Sequence, residues 1–300
     1  MFRNKLLLSL LLSLLAPGLA EAKVNVRKLY QFPNDVFHDI DNVAIRPNGH
    51  LLLNTITEPV VYTLNPRAAA PTATPLQQFD GATRLAGITE VSPDVFAMVL
   101  DLTSGTPVVS EITSIPDGQT LNGMTTASEN VVLVADSPVG TVYSANSNIG
   151  AYQVAIQDTQ FQPPPGSPFH LGINGIHRAD GTLYFTKSGL NTFGKAPINA
   201  QGTAARSPSI IATAPANNFY CNFALDAGGN PRITLHLHAL DIVRLPSGMD
   251  SIALNSAEVV HPTACIFGNS RDTKGTLYVV TAGEETDSQI INGHVFAITV

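Results

Sequence analysis

Apolar residues along this chain come in short runs broken by Gly, Pro, Asn and Asp, and no long window repeats them at i, i+3, i+4 and i+7. The runs "HLLLNTI", "VVYTLN", "VFAMVLD", "VVLVADS", "TLYFTKS", "TLYVVTAG" and "HVFAITV" are rich in β-branched and aromatic residues and predict strands. Between them "RPNG", "RADG", "DAGG" and "DTKG" predict turns in which glycine supplies a positive φ. The pieces recur in a fixed order: an apolar tripeptide, a turn, a buried strand, a short loop and a second strand. Six such units open near Asn42, Gly87, Asn122, Asn174, Asn222 and Cys265. Several strands per unit at a period of roughly 40 to 50 residues is the pattern of a β-propeller, in which each unit is a blade. The expectation is an all-β, six-bladed β-propeller forming a single domain over residues 23–300, with "VNVRKLYQF" completing the last blade and so closing the ring.

The first 22 residues stand apart from this pattern. "MFRNKLLLSLLLSLLAPGLAEA" has Arg3 and Lys5, an apolar run from Leu6 to Leu15, and small residues ending in an A-x-A pattern at Ala20 and Ala22. That is the layout of a secretory signal peptide, and the run is about half the length a membrane span needs. The expected location is the secretory pathway, secreted or vesicular, with no membrane anchor after cleavage. The whole sequence is 44% hydrophobic and 13% charged, a globular composition. A net charge of −7 with only 16 Lys and Arg offers no basic patch, so nucleic acid is not an expected partner. In a secreted chain the two cysteines, Cys221 and Cys265, admit one disulfide; two buried thiols are the alternative.

Candidate chemistry follows from the repeat. Inner strands of a propeller begin at one end of the axial channel, so Asn42, Asn122, Asn174 and Asn222 would form a ring there. The plainer reading is that each amide satisfies a local turn. Tyr220, just ahead of an inner strand, Phe223 and Phe267 offer aromatic surface to such a pocket, with ordinary blade packing the plainer reading of the two phenylalanines; His170 is placed at the rim beside "PPPGSPFH". His236 and His238 in "HLH" share one face of a strand, but no third metal ligand is spaced to match. G-x-S-x-G, H-E-x-x-H and a glycine-rich phosphate loop are all missing, which removes support for serine hydrolase, zinc peptidase and nucleotide-binding readings. Glu90, Glu284 and Glu285 are the other acids near strand ends.

The ordered segments "IDNVAIRPNGHLLLNT", "RLAGITEVSPDVFAM", "LNGMTT", "VLVADSPVGTVY", "PPPGSPFHLGINGIHRADGTLYFTKSG", "FALDAGGN" and "GTLYVVTAGE" resemble the gluconolactonase and senescence-marker-protein superfamily of six-bladed propellers, in particular its secreted fungal branch. Lactonases of that superfamily hold one divalent cation, such as calcium, through a Glu, two Asn and an Asp. The resemblance carries these onto Asp41, Asn122 and Asn174, and the Asp onto Cys221, which departs from the pattern. A hard cation wants oxygen donors, so this set implies a weak metal site. The sequence is also similar to fungal hetero-Diels–Alderases of tropolonic sesquiterpenoid biosynthesis. That resemblance implies no cofactor and two small-molecule substrates, a tropolone quinone methide and a terpene alkene such as humulenol. It makes Asn122, Asn174 and Tyr220 the catalytic candidates and Asn42, Asn222, His170 and Phe267 the substrate-binding ones. A metal-dependent lactonase and a non-catalytic ligand-binding propeller are the alternatives.

Overall fold

The computed structural model describes residues 24–33, 38–102, 110–167, 170–214, 218–236, 238–286 and 290–299. The proposed signal peptide lies outside them. Strand β1 (Asn25–Gln31) is followed by a first blade of β2 (Ile40–Ile45), β3 (Leu51–Thr55), β4 (Val60–Leu64) and β5 (Ala73–Gln78). Then come β6 (Ala82–Ser92) and β7 (Val95–Leu102), which pair only with each other. The next blade is β8 (Leu121–Ser128), β9 (Val131–Asp136), β10 (Thr141–Asn146) and β11 (Tyr152–Gln157). It is followed by β12 (Ile173–Ala179), β13 (Thr182–Lys187), β14 (Thr192–Pro197) and β15 (Ser209–Thr213), then β16 (Tyr220–Leu225), β17 (Pro231–Leu235), β18 (Ala239–Arg244) and β19 (Met249–Asn255). The last blade uses β20 (Pro262–Phe267), β21 (Thr276–Thr281) and β24 (His294–Thr299), with the small hairpin β22 (Glu284–Glu285) and β23 (Ile290–Ile291) inserted.

The chain is therefore an all-β propeller. The expected six four-stranded blades are met at five places; at the second place the described residues form the two-stranded β6–β7 sheet, beside residues 103–109, which lie outside the description. Six inner strands, β2, β6, β8, β12, β16 and β20, each pack against the next, and β20 packs back on β2. The final blade runs β20-β21-β24-β1, so the first strand of the chain is its outer edge, paired from Asn25 with Thr299 to Gln31 with His294. The amino-terminal closure expected from "VNVRKLYQF" is what the structure shows.

Blade packing explains the strand patterns. Alternate residues of each strand enter clusters on opposite blade faces: Phe185 joins Phe161, Ile173 and Leu133, while Phe193 joins Phe223, Ile233 and Val243. Polar side chains near the ends of second strands, together with Thr263 on inner strand β20, then tie one blade to the inner strand of the next. Ser137 donates to the Ile173 carbonyl, Ser188 to that of Tyr220 (2.7 Å), Thr186 to that of Cys221, Thr263 to that of Ile40 (2.6 Å), and the Asn54 amide to the Ala86 carbonyl. Buried carbonyls left open by the sheet registers are thereby satisfied, and the inner strands are held in relative height.

Two sequence expectations are corrected in this frame. Cys221 and Cys265 are both free. Cys221 lies within the electrostatic reach of Asp39 and Asp41, whereas Cys265 packs with Ala224, Leu277 and Phe296 between blades and donates from Sγ to the Arg232 carbonyl at 3.2 Å. One thiol serves the channel and the other a blade interface, which is why adjacency in the repeat does not become a bond. Unreduced protein should accordingly keep the full intact mass and titrate two thiols once denatured; a mass lower by two hydrogens would contradict this arrangement. The second correction is Tyr220, described below.

Candidate functional site

All six inner strands lose register near their starting ends: between Ile40 and Asn42, Leu85 and Ile88, Leu121 and Met124, Ile173 and Ile176, Tyr220 and Phe223, and Pro262 and Ala264. A bulge leaves its extra residues unpaired and re-aims their side chains. Here the released residues include Asp41, Asn122, Asn174, Cys221 and Thr263, one set for each of five inner strands around the channel mouth. Glycines make the close circle possible. A methyl group added at Gly123 would land on the carbonyl oxygen of Asn174, and one at Gly175 would meet the Asn222 side chain and Cα; Gly87 stands in the same relation to Asn122.

One step deeper the channel is floored. Asn222 donates from Nδ2 to Asn42 Oδ1 at 3.2 Å, which joins blades that are not neighbours in the ring. Each amide oxygen also accepts the following backbone N–H, from Val43 at 3.0 Å and Phe223 at 2.8 Å. His177 hydrogen-bonds Asn222 and lies edge-on to Phe223 at 4.8 Å; burial brings its imidazole down to about 4, so it is neutral at ordinary pH. The floor is thus a neutral, hydrogen-bonded unit of two amides and an imidazole.

Above it the acids are strained. Burial raises Asp41 to about 7, the neighbouring Asp39 charge adds to this, and Arg84 opposes it. Burial alone raises Asp39 to about 6. Asp41 keeps part of its surface open to the lumen, yet its Oδ2 is enclosed and has no hydrogen-bond partner among the described residues. Cys221 is pushed up to about 12, first by burial and then by Asp41 and Asp39, so it remains a thiol.

Of the predicted ring, Asn42 and Asn222 meet directly, and Asn122 and Asn174 stand on adjacent inner strands, with Asn174 donating to Ser188 Oγ at 2.8 Å. Tyr220 does not join them. It is fully buried between blades, its hydroxyl donating to Asp241 at 2.5 Å, because the bulge after it puts Cys221 and not Tyr220 on the channel side. Phe267 is also elsewhere, at the far end of β20, where with Val24, Val26 and Leu254 it packs against the blade-interface cluster of Leu240, Leu277 and Phe296. His170 is exposed on the loop before β12. Sequence reasoning weighed His177 only as one of several histidines for acid–base or metal chemistry, and missed Asp39 and the stitching hydroxyls; the recurring Asp-Ser and Lys-Ser after second strands, in "ADS" and "TKS", was the signal for the last.

Histidines crowd the mouth end: His38, His170, His236, His238, His261 and His294, six of the eight, sit in segments flanking strand ends there. His236 stacks between Phe219 (4.1 Å) and His261 (4.6 Å), and His238 lies 6.3 Å beyond. His261 donates from Nδ1 to the Gly283 carbonyl at 3.1 Å. "HLH" is therefore part of an aromatic column. Among the described residues no three His, Cys, Asp or Glu side chains are grouped to hold a metal ion. Beside β6–β7 lies a cavity of about 880 Å³ with a mixed lining, apolar at Leu52, Phe79, Phe96, Met98 and Leu121 and polar at Gln77, Arg84, Glu111, Gln119 and Asn148.

No family model matches the chain. It is 24% identical over 318 residues, spanning 88% of each chain, to a Phoma protein named "Putative hetero-Diels-Alderase". Among solved structures it is similar to a luciferin-regenerating enzyme (14% identity, TM-score 0.65, covering 93% of this chain and 96% of the other). It is also similar to a calcium-binding regucalcin from Agrobacterium tumefaciens (16%, TM-score 0.58, 88% and 92%) and to a virginiamycin B lyase from Staphylococcus aureus (10%, TM-score 0.62, 93% and 100%). These structural likenesses establish the propeller fold.

Proposed function

We propose that this protein is a cycloaddition enzyme of the hetero-Diels–Alderase kind, joining a tropolone quinone methide to a terpene alkene such as humulenol at the channel mouth. The observation that carries this reading is the neutral amide floor beneath Asn122 and Asn174. Cycloaddition asks for orientation of two partners and for donors aimed at the quinone methide oxygen, and for no nucleophile. Asn122 and Asn174 supply the donors, while Asn42, Asn222 and His177 hold the site's base and the apolar part of the cavity beside β6–β7 receives the apolar partner. The similarity to the Phoma protein along 88% of both chains supports the same class. Tyr220 leaves the catalytic set because it is enclosed in the blade core. We read the β6–β7 sheet as the inner half of a sixth blade, residues 23–300 as one domain, and residues 1–22 as a signal peptide that directs the chain into the secretory pathway.

The test is product formation from a quinone methide precursor and humulenol. Asn174→Ala should lower kcat by on the order of 10- to 100-fold, as expected for losing one positioned donor, with the fold intact by circular dichroism. A chelator should leave the wild-type rate unchanged.

One observation favours a second reading. The orphaned Oδ2 of Asp41, beside Asp39, is what a divalent cation would satisfy, and the oxygens of Asn122 and Asn174 fit a hard ion. The thiol of Cys221 does not fit it. If about one calcium per chain survives dialysis and chelator abolishes hydrolysis of a lactone, the protein is a metal-dependent lactonase and the cycloaddition reading is overturned.

A further inference from the structure

We propose that Lys187 is the cation of a subsite for an organic oxyanion, in the cleft between the β8–β11 and β12–β15 blades at the channel mouth. Lys187 ends β13 and is paired with Ile173 on β12 and with Thr192 on β14. Ile173 belongs to the cluster with Ala127, Leu133 and Phe161, so the lysine stem, on the same face of the sheet, enters the gap between these two blades. The residue is only 3% exposed. Among the described residues no hydrogen bond or ion pair engages its ammonium, and burial, the sole influence on its ionisation, pulls it down from the usual lysine value. Among the described residues no carboxylate is near enough to act on it. The acid at the mouth end of the neighbouring blade, Asp136, is already occupied: its two oxygens accept the backbone N–H groups of Thr120 (3.1 Å) and Gln119 (2.9 Å).

A lysine whose stem is enclosed between blades and whose ammonium faces no counter-charge among the described residues disfavours folding, and a methionine of similar length would pack the same gap without that cost. The position makes sense when a ligand brings the missing charge. Ser188, the next residue, holds Asn174, so the lysine adjoins in sequence the residue that positions the amide of the proposed reaction. The matching ligand group is the ionised oxygen of an acidic enol, phenol or carboxylic acid, which an ammonium binds through a charge-assisted hydrogen bond. This inference rests on the mouth being an organic ligand site, but not on which reaction occurs there.

The experiment is calorimetric titration of the full chain at pH 8 and low salt with tropolonate and benzoate as anionic probes and tropolone methyl ether as the neutral one. Wild type should bind at least one anion, Lys187→Met should weaken it by on the order of 10- to 100-fold, and Lys187→Arg should stay much closer to wild type. The neutral ether should bind wild type and Lys187→Met alike. Without ligand, Lys187→Met should melt at or above the wild-type temperature, the opposite of what a structural lysine gives. Equal anion binding by Lys187→Met, or no anion binding by wild type, overturns the proposal. Wild type that binds the anions yet forms no cycloadduct leaves the subsite standing and removes the reaction assignment instead.

Discussion

Gly123→Ala should cost about 3 kcal/mol or more and lower Tm by roughly 6 to 12 °C. Position 123 lies in the bulged start of β8, and its added methyl would strike the Asn174 carbonyl oxygen and crowd the backbone of Gly175 and Ile176. Those are backbone atoms, so no rotamer change relieves the clash. The two inner strands must separate, and the separation moves Asn122 relative to Asn174. Loss of activity should therefore exceed what the fraction unfolded accounts for. Gly275→Ala is the control: a methyl there meets nothing within 4 Å, and the melt should shift by no more than about 0.5 kcal/mol equivalent. A melt of Gly123→Ala that overlays the wild type would show that the inner strands do not pack at this distance.

The second large effect is on the pH dependence of stability. His177, His236 and His294 are each brought down to about 4 by burial, from an ordinary 6.5. As pH falls through 6.5 the unfolded chain takes up protons that the folded chain refuses until about pH 4, so stability drops across this window and levels off below it. Asp39 and Asp41, raised to about 6 and about 7 from 3.8, act with the opposite sign. The folded chain retains their protons after the unfolded chain has released them, so their contribution is lost as pH rises from about 4 toward 7. The two sets oppose each other over the shared range and flatten the wild-type profile. Substitution separates them. His177→Gln should lose some stability at pH 7 through its contact with Asn222, but relative to wild type it should regain about 2 to 3 kcal/mol between pH 7 and pH 4.5. Urea midpoints at the two pH values measure this; a difference that stays constant with pH would mean that His177 titrates normally in the folded protein.

The propeller was legible because its signal is redundant. Five of the six units announce themselves by an apolar strand after a Gly-containing turn, and a misread strand in one unit is corrected by the others. The β6–β7 unit is the exception: its turn "VSPD" carries no glycine, and in its second half, "SGTPVVSEITSIPDGQ", the β-branched residues are interrupted by Gly, Pro and Ser. The site was legible in residue type but not in direction. Asn42, Asn122, Asn174 and Asn222 were found because they repeat, yet Tyr220 was put on the channel and Asp39 was overlooked. The reason is parity: a strand alternates sides every residue, and a one-residue bulge reverses that alternation for everything beyond it. Nothing local to "FYCNFAL" says that register is lost between Tyr220 and Phe223. Burial raised a similar obstacle at Lys187 and His177, whose neighbours come from other blades and are far away in sequence.

The pairing of Asn25 with Thr299 joins the first and last described strands, β1 and β24, in one sheet. During synthesis, then, every other blade can assemble while its strands emerge, but the ring stays an open arc until β24 has emerged to meet β1. For that interval β1 and the unfinished final blade present unpaired edges, and closure requires one encounter spanning nearly the whole chain, the slowest class of contact to form. Pairing of β1 with β24, rather than the collapse of any single blade, sets the moment at which the channel and its floor come into existence.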